Sequence, residues 1–441
     1  MNKKPIFLVI ILILSIANIE SITLGEGNNT VDSYVIITTN AIKSSSIKLN
    51  NFILHKEKLG FNVMVVTEDD FDHLTGSFPD KRPDKIRQWL IDNYQELGIE
   101  YVLLIGDPTP DTKDGEQILK NNTLYSIPMK TFRDYMQFPG LVLFESPSDY
   151  YYADLDSDWN RLTKNYCGDS IDYMLRGINA DPEVFVGRIP TYNNTIDGLD
   201  NILQKIIDYE NEQDTTWRKS GLFAASFSSI IYDDALVWAQ VINDFVKPDF
   251  TIWRQYMQGS YNPLLDSKYN SEEELRNSTL VYRLQNDSFG IVAIAAHGSK
   301  NRTVVGISLF DYDGYVITSE QTQTLSNERP SIFFIKSCTT GYPEDFSLGY
   351  SLLKNGGIAV ICATRVIWYN LKTDMKNDIG DSATFYRIIG NTLQNMSLGK
   401  ALYKAKDTID NMILFKFLSY KHFMNLLRIN LYGDPSIHLT Y

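Results

Sequence analysis

Cysteine is scarce in this chain: three residues in 441, Cys167, Cys338 and Cys362. So few cannot build the disulfide framework that staples small exported domains, and an odd count leaves at least one thiol free. Histidine is sparse too, with five. Of these, His55, His73, His422 and His438 show no metal-ligand spacing, which argues against a histidine metal centre. Basic runs are missing. With 41 Lys and Arg against 54 Asp and Glu, and a net charge of −13, nucleic acid is excluded as a main partner, because phosphate binding needs clustered cations. Beyond the N-terminus no apolar run is long enough to cross a bilayer. There is no fixed-period repeat. Nor is there a compositional mark of disorder, since 44% of residues are hydrophobic and 12% aromatic.

What is present begins with a leader. Lys3 and Lys4 precede the apolar run Pro5–Ile16, and Ala17, Asn18 and Ser21 follow. A basic start, an apolar core and a polar exit read as a secretory signal peptide over residues 1–22, with an uncleaved N-terminal anchor as the alternative. Either places the protein outside the cell, secreted or at the cell surface. Strand-like and helix-like segments then alternate. Tyr34–Thr39, Asn62–Thr67 and Tyr101–Ile105 read as strands, Ser44–Leu59 and Pro83–Leu97 as helices closed by Gly60 and Gly98. A second block of the same kind starts near Thr216, with a helix predicted over residues 272–286 and a closing strand over Ser436–Tyr441. The pattern predicts an α/β fold with a mostly parallel sheet and two subdomains, 33–215 and 216–441. The irregular stretch 108–181 is too long for a plain loop and points to a function or a bound ion.

Two segments carry the chemistry: GIVAIAAHGS at Gly290–Ser299 and SIFFIKSCTTGYPED at Ser331–Asp345. Each is an apolar, strand-forming run that stops at a small-residue turn bearing one reactive side chain, His297 or Cys338. A thiolate forms at neutral pH only beside a basic or cationic partner, and ligands of open parallel sheets bind at the carboxyl ends of strands. The pattern therefore assigns Cys338 as nucleophile, His297 as proton carrier, and the N–H groups of Gly298 and Cys338 as an oxyanion hole. Such chemistry needs no cofactor. Taken singly, His297 reads as a turn histidine and Cys338 as a small buried residue; taken together they read as a site. In ADLDSDWN, Asp154, Asp156, Asp158 and Asn160 alternate. Alternating oxygen donors suit structural Ca²⁺, although Trp159 stands where an EF-hand needs glycine. A solvated acidic turn is the alternative.

These motifs occur in a set with YVLLIGDP at Tyr101–Pro108, SDYYYADLDSDWN at Ser148–Asn160, PEVFVGRIP at Pro182–Pro190 and YGDPSIHL at Tyr432–Leu439. In that order they resemble the gingipain family of cysteine peptidases, relatives of caspases and legumains. The resemblance implies a caspase-like three-layer α/β/α sandwich, a His297–Cys338 dyad, cleavage of protein or peptide substrates, and bound calcium. It also implies that Asp233 or Asp234 lines the S1 pocket and selects Arg or Lys at P1 through a charge-assisted pair; the plain alternative is that Asp234 caps the helix that follows. One departure stands out. Where gingipains place a third, acidic residue near the dyad, this chain has Phe227. That leaves a rival of another class, a catalytically silent homologue that binds peptides or surface partners. A glycoside hydrolase has only the abundance of Asp in its favour.

Overall fold

Strands that are apolar on both faces are satisfied only inside a sheet covered on both sides. The computed structural model of the chain describes residues 32–77, 79–110, 123–137, 141–159, 181–259, 265–305, 314–413 and 420–440. Its main sheet uses β1 (Ser33–Ile37), β2 (Asn62–Val66), β3 (Ile99–Gly106), β4 (Phe185–Pro190), β5 (Ser220–Ala225), β6 (Thr251–Tyr256), β7 (Glu273–Glu274), β8 (Ile291–Ala295), β9 (Ser331–Lys336), β10 (Gly357–Ala363) and β11 (Ile429–Tyr432). These eleven strands lie in the order β7-β6-β5-β8-β9-β10-β11-β4-β3-β1-β2. Every neighbouring pair is parallel except β10 with β11. With its flanking helices this is the caspase-like, mostly parallel α/β sandwich that the alternation and the resemblance implied.

Burial follows position in the sheet. The central strands β8, β9 and β10 are buried at every residue. Near the edges, β2 and β6 leave residues partly or fully exposed. Strands from residues 33–215 form one end of the sheet and those from 216–441 the other, meeting where Tyr432 of β11 pairs with Arg188 of β4.

Local chemistry redraws several expected boundaries. The helix expected over Ser44–Leu59 is broken into Asn40–Ser45 and Leu49–Lys58. The cause is Asp200, whose carboxylate accepts from the Ser46 hydroxyl and from the N–H groups of Ile47 and Lys48. By contrast, Arg82–Leu97 forms as expected, with proline in its first turn and Gly98 at φ 58° closing it. The stretch 108–181 contains an antiparallel hairpin, Lys130–Gln137 with Leu141–Ser148, followed by the short helix Tyr150–Ala153. Residues 272–286 start as strand β7 and become helical only at Asn277.

The closing strand also lies earlier than expected. It is Ile429–Tyr432; residues 436–440 of the expected strand Ser436–Tyr441 are not strand, and Tyr441 lies outside the described residues. The YGDPS segment turns at Gly433 (φ 133°) and sends the Asp434 carboxylate inward, where it accepts from the Tyr34 hydroxyl at 2.8 Å and pairs with buried Lys56 at 2.6 Å. Two other motifs of the ordered set meet in the same way. Arg188 of VGRIP grips Asp149 of SDYYY with both arms, at 2.8 and 2.6 Å. Tyr150, Tyr151 and Tyr152 are buried in the core.

Candidate active site

The strands β5, β8 and β9 end side by side, with Ala225 opposite Ala295 and Ala295 opposite Lys336. The chain stays stitched beyond that level. Ser226 N–H donates to the Ala295 carbonyl at 2.9 Å, Ala296 N–H to Lys336 at 3.3 Å, and the Ser337 hydroxyl to Ala296 at 2.8 Å. His297 and Cys338 are the next residues out, at matched heights on neighbouring strands. Gly298 shows how close the two turns come: a Cβ there would lie 2.4 Å from the Cys338 carbonyl oxygen and 2.9 Å from its nitrogen. Only glycine fits such an approach of two main chains. His297 opens a small antiparallel sheet, His297–Ser299 with Arg302–Val305 and Gly314–Thr318.

The backbone at the cysteine is strained. Thr339, directly after it, has φ 62°, a left-handed conformation that costs a β-branched residue free energy. It is held there by its N–H, which donates to the Arg365 carbonyl at 3.0 Å. The Cys338 thiol points to the Ile367 carbonyl, 3.8 Å away. Burial pushes this thiol up, and nearby Asp381 adds to the rise. Burial pushes the His297 imidazole down, while Asp234 pulls it up and Lys336 down. The two shifts act in the same sense, each towards the uncharged form.

The residue that departs from the gingipain pattern stands beside the imidazole. Phe227 brings no carboxylate, and its main chain adds only the smallest of the upward pulls on the ring. His297 Nε2 is buried and has no hydrogen-bond partner.

Asp233 and Asp234 point to different jobs. Asp234 is fully buried, 2.8 Å from the Lys336 ammonium, and accepts from the Ser228 hydroxyl on both oxygens, at 2.9 and 2.8 Å. Its side chain makes no capping bond to the helix Ala235–Phe245. Asp233 supplies that bond, accepting from Ala235 N–H at 3.0 Å, and it also accepts from the Ser267 hydroxyl and Lys268 N–H.

The acidic stretch is brought together in part. Ligand oxygens of Asp154, Asp156 and Glu183 lie within 4.8 Å of one another. Asp158 is exposed and outside this group, and Asn160 lies outside the described residues. Asp154 is fully buried, with Oδ2 unpartnered, and burial pushes its carboxyl up to about 7. A cation is what such an orphaned, clustered carboxylate fits. Glu183 was missed in the sequence because it comes from a separate segment.

Lys336 and Asp381 were missed as well. Lys336 lies 3.4 Å from Asp381, the first residue of the helix Asp381–Leu393. A lysine inside the apolar run SIFFIK was a readable signal, since a buried lysine is almost always paired. Its partners were not readable.

The model of peptidase family C25 matches residues 28–440. Among solved structures, the chain is similar to the Arg-specific cysteine proteinase gingipain R (RgpB), at 14% identity and a TM-score of 0.59 over 93% of this chain and 79% of that one. It is similar to the complex of Porphyromonas gingivalis RgpB pro- and mature domains, at 14% identity and a TM-score of 0.58 over 92% and 79%. A third structure, described simply as a protease, matches at 13% identity and a TM-score of 0.60 over 93% and 79%. Among curated proteins there is no significant match.

Proposed function

The chain belongs to peptidase family C25 and is a cysteine-type endopeptidase, and we propose that Cys338 is its nucleophile and His297 its proton carrier. The observation that carries this reading is the convergence of the two turns, with Gly298 against the Cys338 main chain and His297 Nε2 unpartnered. As the Cys338 sulfur attacks the scissile carbonyl, its proton passes to His297 Nε2. The oxyanion is met by the N–H groups of Cys338 and Gly298. The imidazolium then protonates the leaving amine, and the thioester remains on Cys338. Water hydrolyses the thioester with His297 as base, which restores thiol and imidazole.

Three finer points belong to the same reading. A basic P1 residue is the preference this reading carries, with half-buried Asp233 as the carboxylate that meets it; Asp234 is fully buried against Lys336 and out of a substrate's reach. Structural Ca²⁺ is held by Asp154, Asp156 and Glu183 and takes no part in the chemistry. Export follows from residues 1–22, which the sequence reads as a leader. Among the described residues no helix is long and apolar enough to cross a membrane.

The test is hydrolysis of a peptide library by the wild type, Cys338→Ala and His297→Ala, with mass mapping of an alkylating active-site probe. Cleavage after Arg or Lys that disappears in both variants, with the probe on Cys338, is the expected result. A wild type that neither cleaves nor takes the probe would sink the proposal in favour of the peptide-binding homologue.

A further inference from the structure

Lys336 is the last residue of β9, two positions before Cys338 and directly opposite Ala295 of the strand that leads to His297. Its ammonium is buried between two acids. Asp234 Oδ1 is 2.8 Å away and Asp381 Oδ2 3.4 Å away, with the Ser228 hydroxyl at 3.4 Å. All three charged side chains are at most 5% exposed. The two acids stand at the starts of neighbouring helices, Ala235–Phe245 and Asp381–Leu393, where the helix dipole favours negative charge. Burial pushes the Asp381 carboxyl up while Lys336 pulls it down; with both acids ionised, two carboxylates against one ammonium leave the cluster one negative charge in excess.

We propose that the buried Asp234–Lys336–Asp381 cluster is the positioning element of the dyad: its excess negative charge stabilises the imidazolium formed when His297 takes the thiol proton. This deepens the reading of Cys338 and His297 given above and rests on it. The dyad is reached from two sides. Asp234 and Lys336 act on His297, and Asp381 and Lys336 act on Cys338. Among the described residues, other groups facing them are few. The Tyr232 hydroxyl faces Lys336, Asp234 and Asp381, and the Arg428 guanidinium faces Cys338, tied to Ser146 and to the Val366 carbonyl. Once the sulfur has bonded to carbon, its charge has moved to the oxyanion, whereas the imidazolium charge persists. A fixed negative charge behind His297 therefore acts at a step where, among the described residues, no side-chain carboxylate accepts from the ring. The cluster acts through the dyad and does not touch substrate.

The test uses charge arithmetic. Asp234→Asn brings the cluster to neutral, Lys336→Gln takes it to two negative charges, and the double variant restores one. The first readout is iodoacetamide alkylation of Cys338 against pH, followed by peptide mass mapping; Cys362 is fully buried and serves as the protected control. The second is kcat/KM against pH. Asp234→Asn is expected to shift the alkylation midpoint and the acid limb of kcat/KM to lower pH by on the order of one unit, and to lower kcat/KM roughly tenfold. Lys336→Gln shifts both to higher pH, and the double variant returns them towards wild type. Should Lys336→Gln not fold, Asp381→Asn replaces it and is expected to move the alkylation midpoint in the same direction as Asp234→Asn. Shifts of the same sign for Asp234→Asn and Lys336→Gln, opposite shifts for the two Asn variants, or no shift at all would overturn the proposal. Alkylation reads the thiol whether or not a peptide is cut. Failure here is therefore separable from failure of the peptidase reading, which would appear as hydrolysis that survives Cys338→Ala.

Discussion

Arg188 and Lys336 are both basic side chains buried in strands of one sheet, one in each half of the chain. Arg188 meets a single carboxylate, Asp149, with two parallel bonds, and a third donor goes to the Ile127 carbonyl. Charge and geometry close on themselves, as a guanidinium fork allows. Lys336 offers one point charge to two carboxylates, so the books do not balance, and the remainder lies beside a thiol and an imidazole. The balanced pair locks the VGRIP strand to the SDYYY turn. The unbalanced cluster has reach, because a net charge in a poorly screened interior acts on its neighbours. The difference separates buried ions that specify packing from buried ions that set chemistry.

The sharpest way to break the comparison is at the reactive end. Gly298→Ala forces the His297 turn away from the Cys338 main chain, which a Cβ would meet at 2.4 Å. Steady-state kinetics are expected to show a loss of roughly 100-fold or more in kcat/KM, since displacements on the order of 1 Å at reacting groups cost that much. The structural end is expected to respond in stability instead. Arg188→Met strands the Asp149 carboxylate, and chemical denaturation is expected to show a loss of roughly 3–5 kcal/mol. The pH profile of the protein that remains folded keeps its midpoints; a shifted acid limb would show that Arg188 also acts on the dyad.

A smaller effect sharpens the comparison from within the structural half. Asp154 has no full partner there, and its carboxyl is raised to about 7, against about 3.9 in an unfolded chain. A raised folded value means stability that is complete below the unfolded value and lost as pH rises through the folded one. Relative to Asp154→Asn, the wild type is expected to lose about 2–3 kcal/mol between pH 5 and pH 8 in chelator. Added Ca²⁺ is expected to abolish that loss, read as Tm. Indifference to Ca²⁺ would remove the ion from Asp154, Asp156 and Glu183.

Much of the fold was legible because its strands are written in one code. A run such as GIVAIAA or SIFFI has no polar face to turn to water, so it reads as a central parallel strand without any knowledge of its neighbours. Helix stops were legible where the signal is local, as at Gly98, and illegible where a distant group intrudes, as when Asp200 cuts the helix at Ser46–Lys48. The closing strand was misplaced because Ser436–Tyr441 and Ile429–Tyr432 carry similar apolar content. The choice fell to Asp434, which pins the later segment through Tyr34 and Lys56.

By itself the sequence determined the class of sheet, the two strand ends that bear His297 and Cys338, and the family the ordered motifs point to. These depend on patterns within a few residues, where apolar runs, turns and small residues dictate their own conformation. Only the tertiary structure decided what those ends and the acidic turn are paired with: Asp234 held by Lys336, Asp381 brought in from a later helix, and Glu183 joined to Asp154. Each is a long-range pairing of buried polar groups. Burial makes such a pairing compulsory for the groups concerned, but nothing in the local pattern says which distant residue will satisfy it.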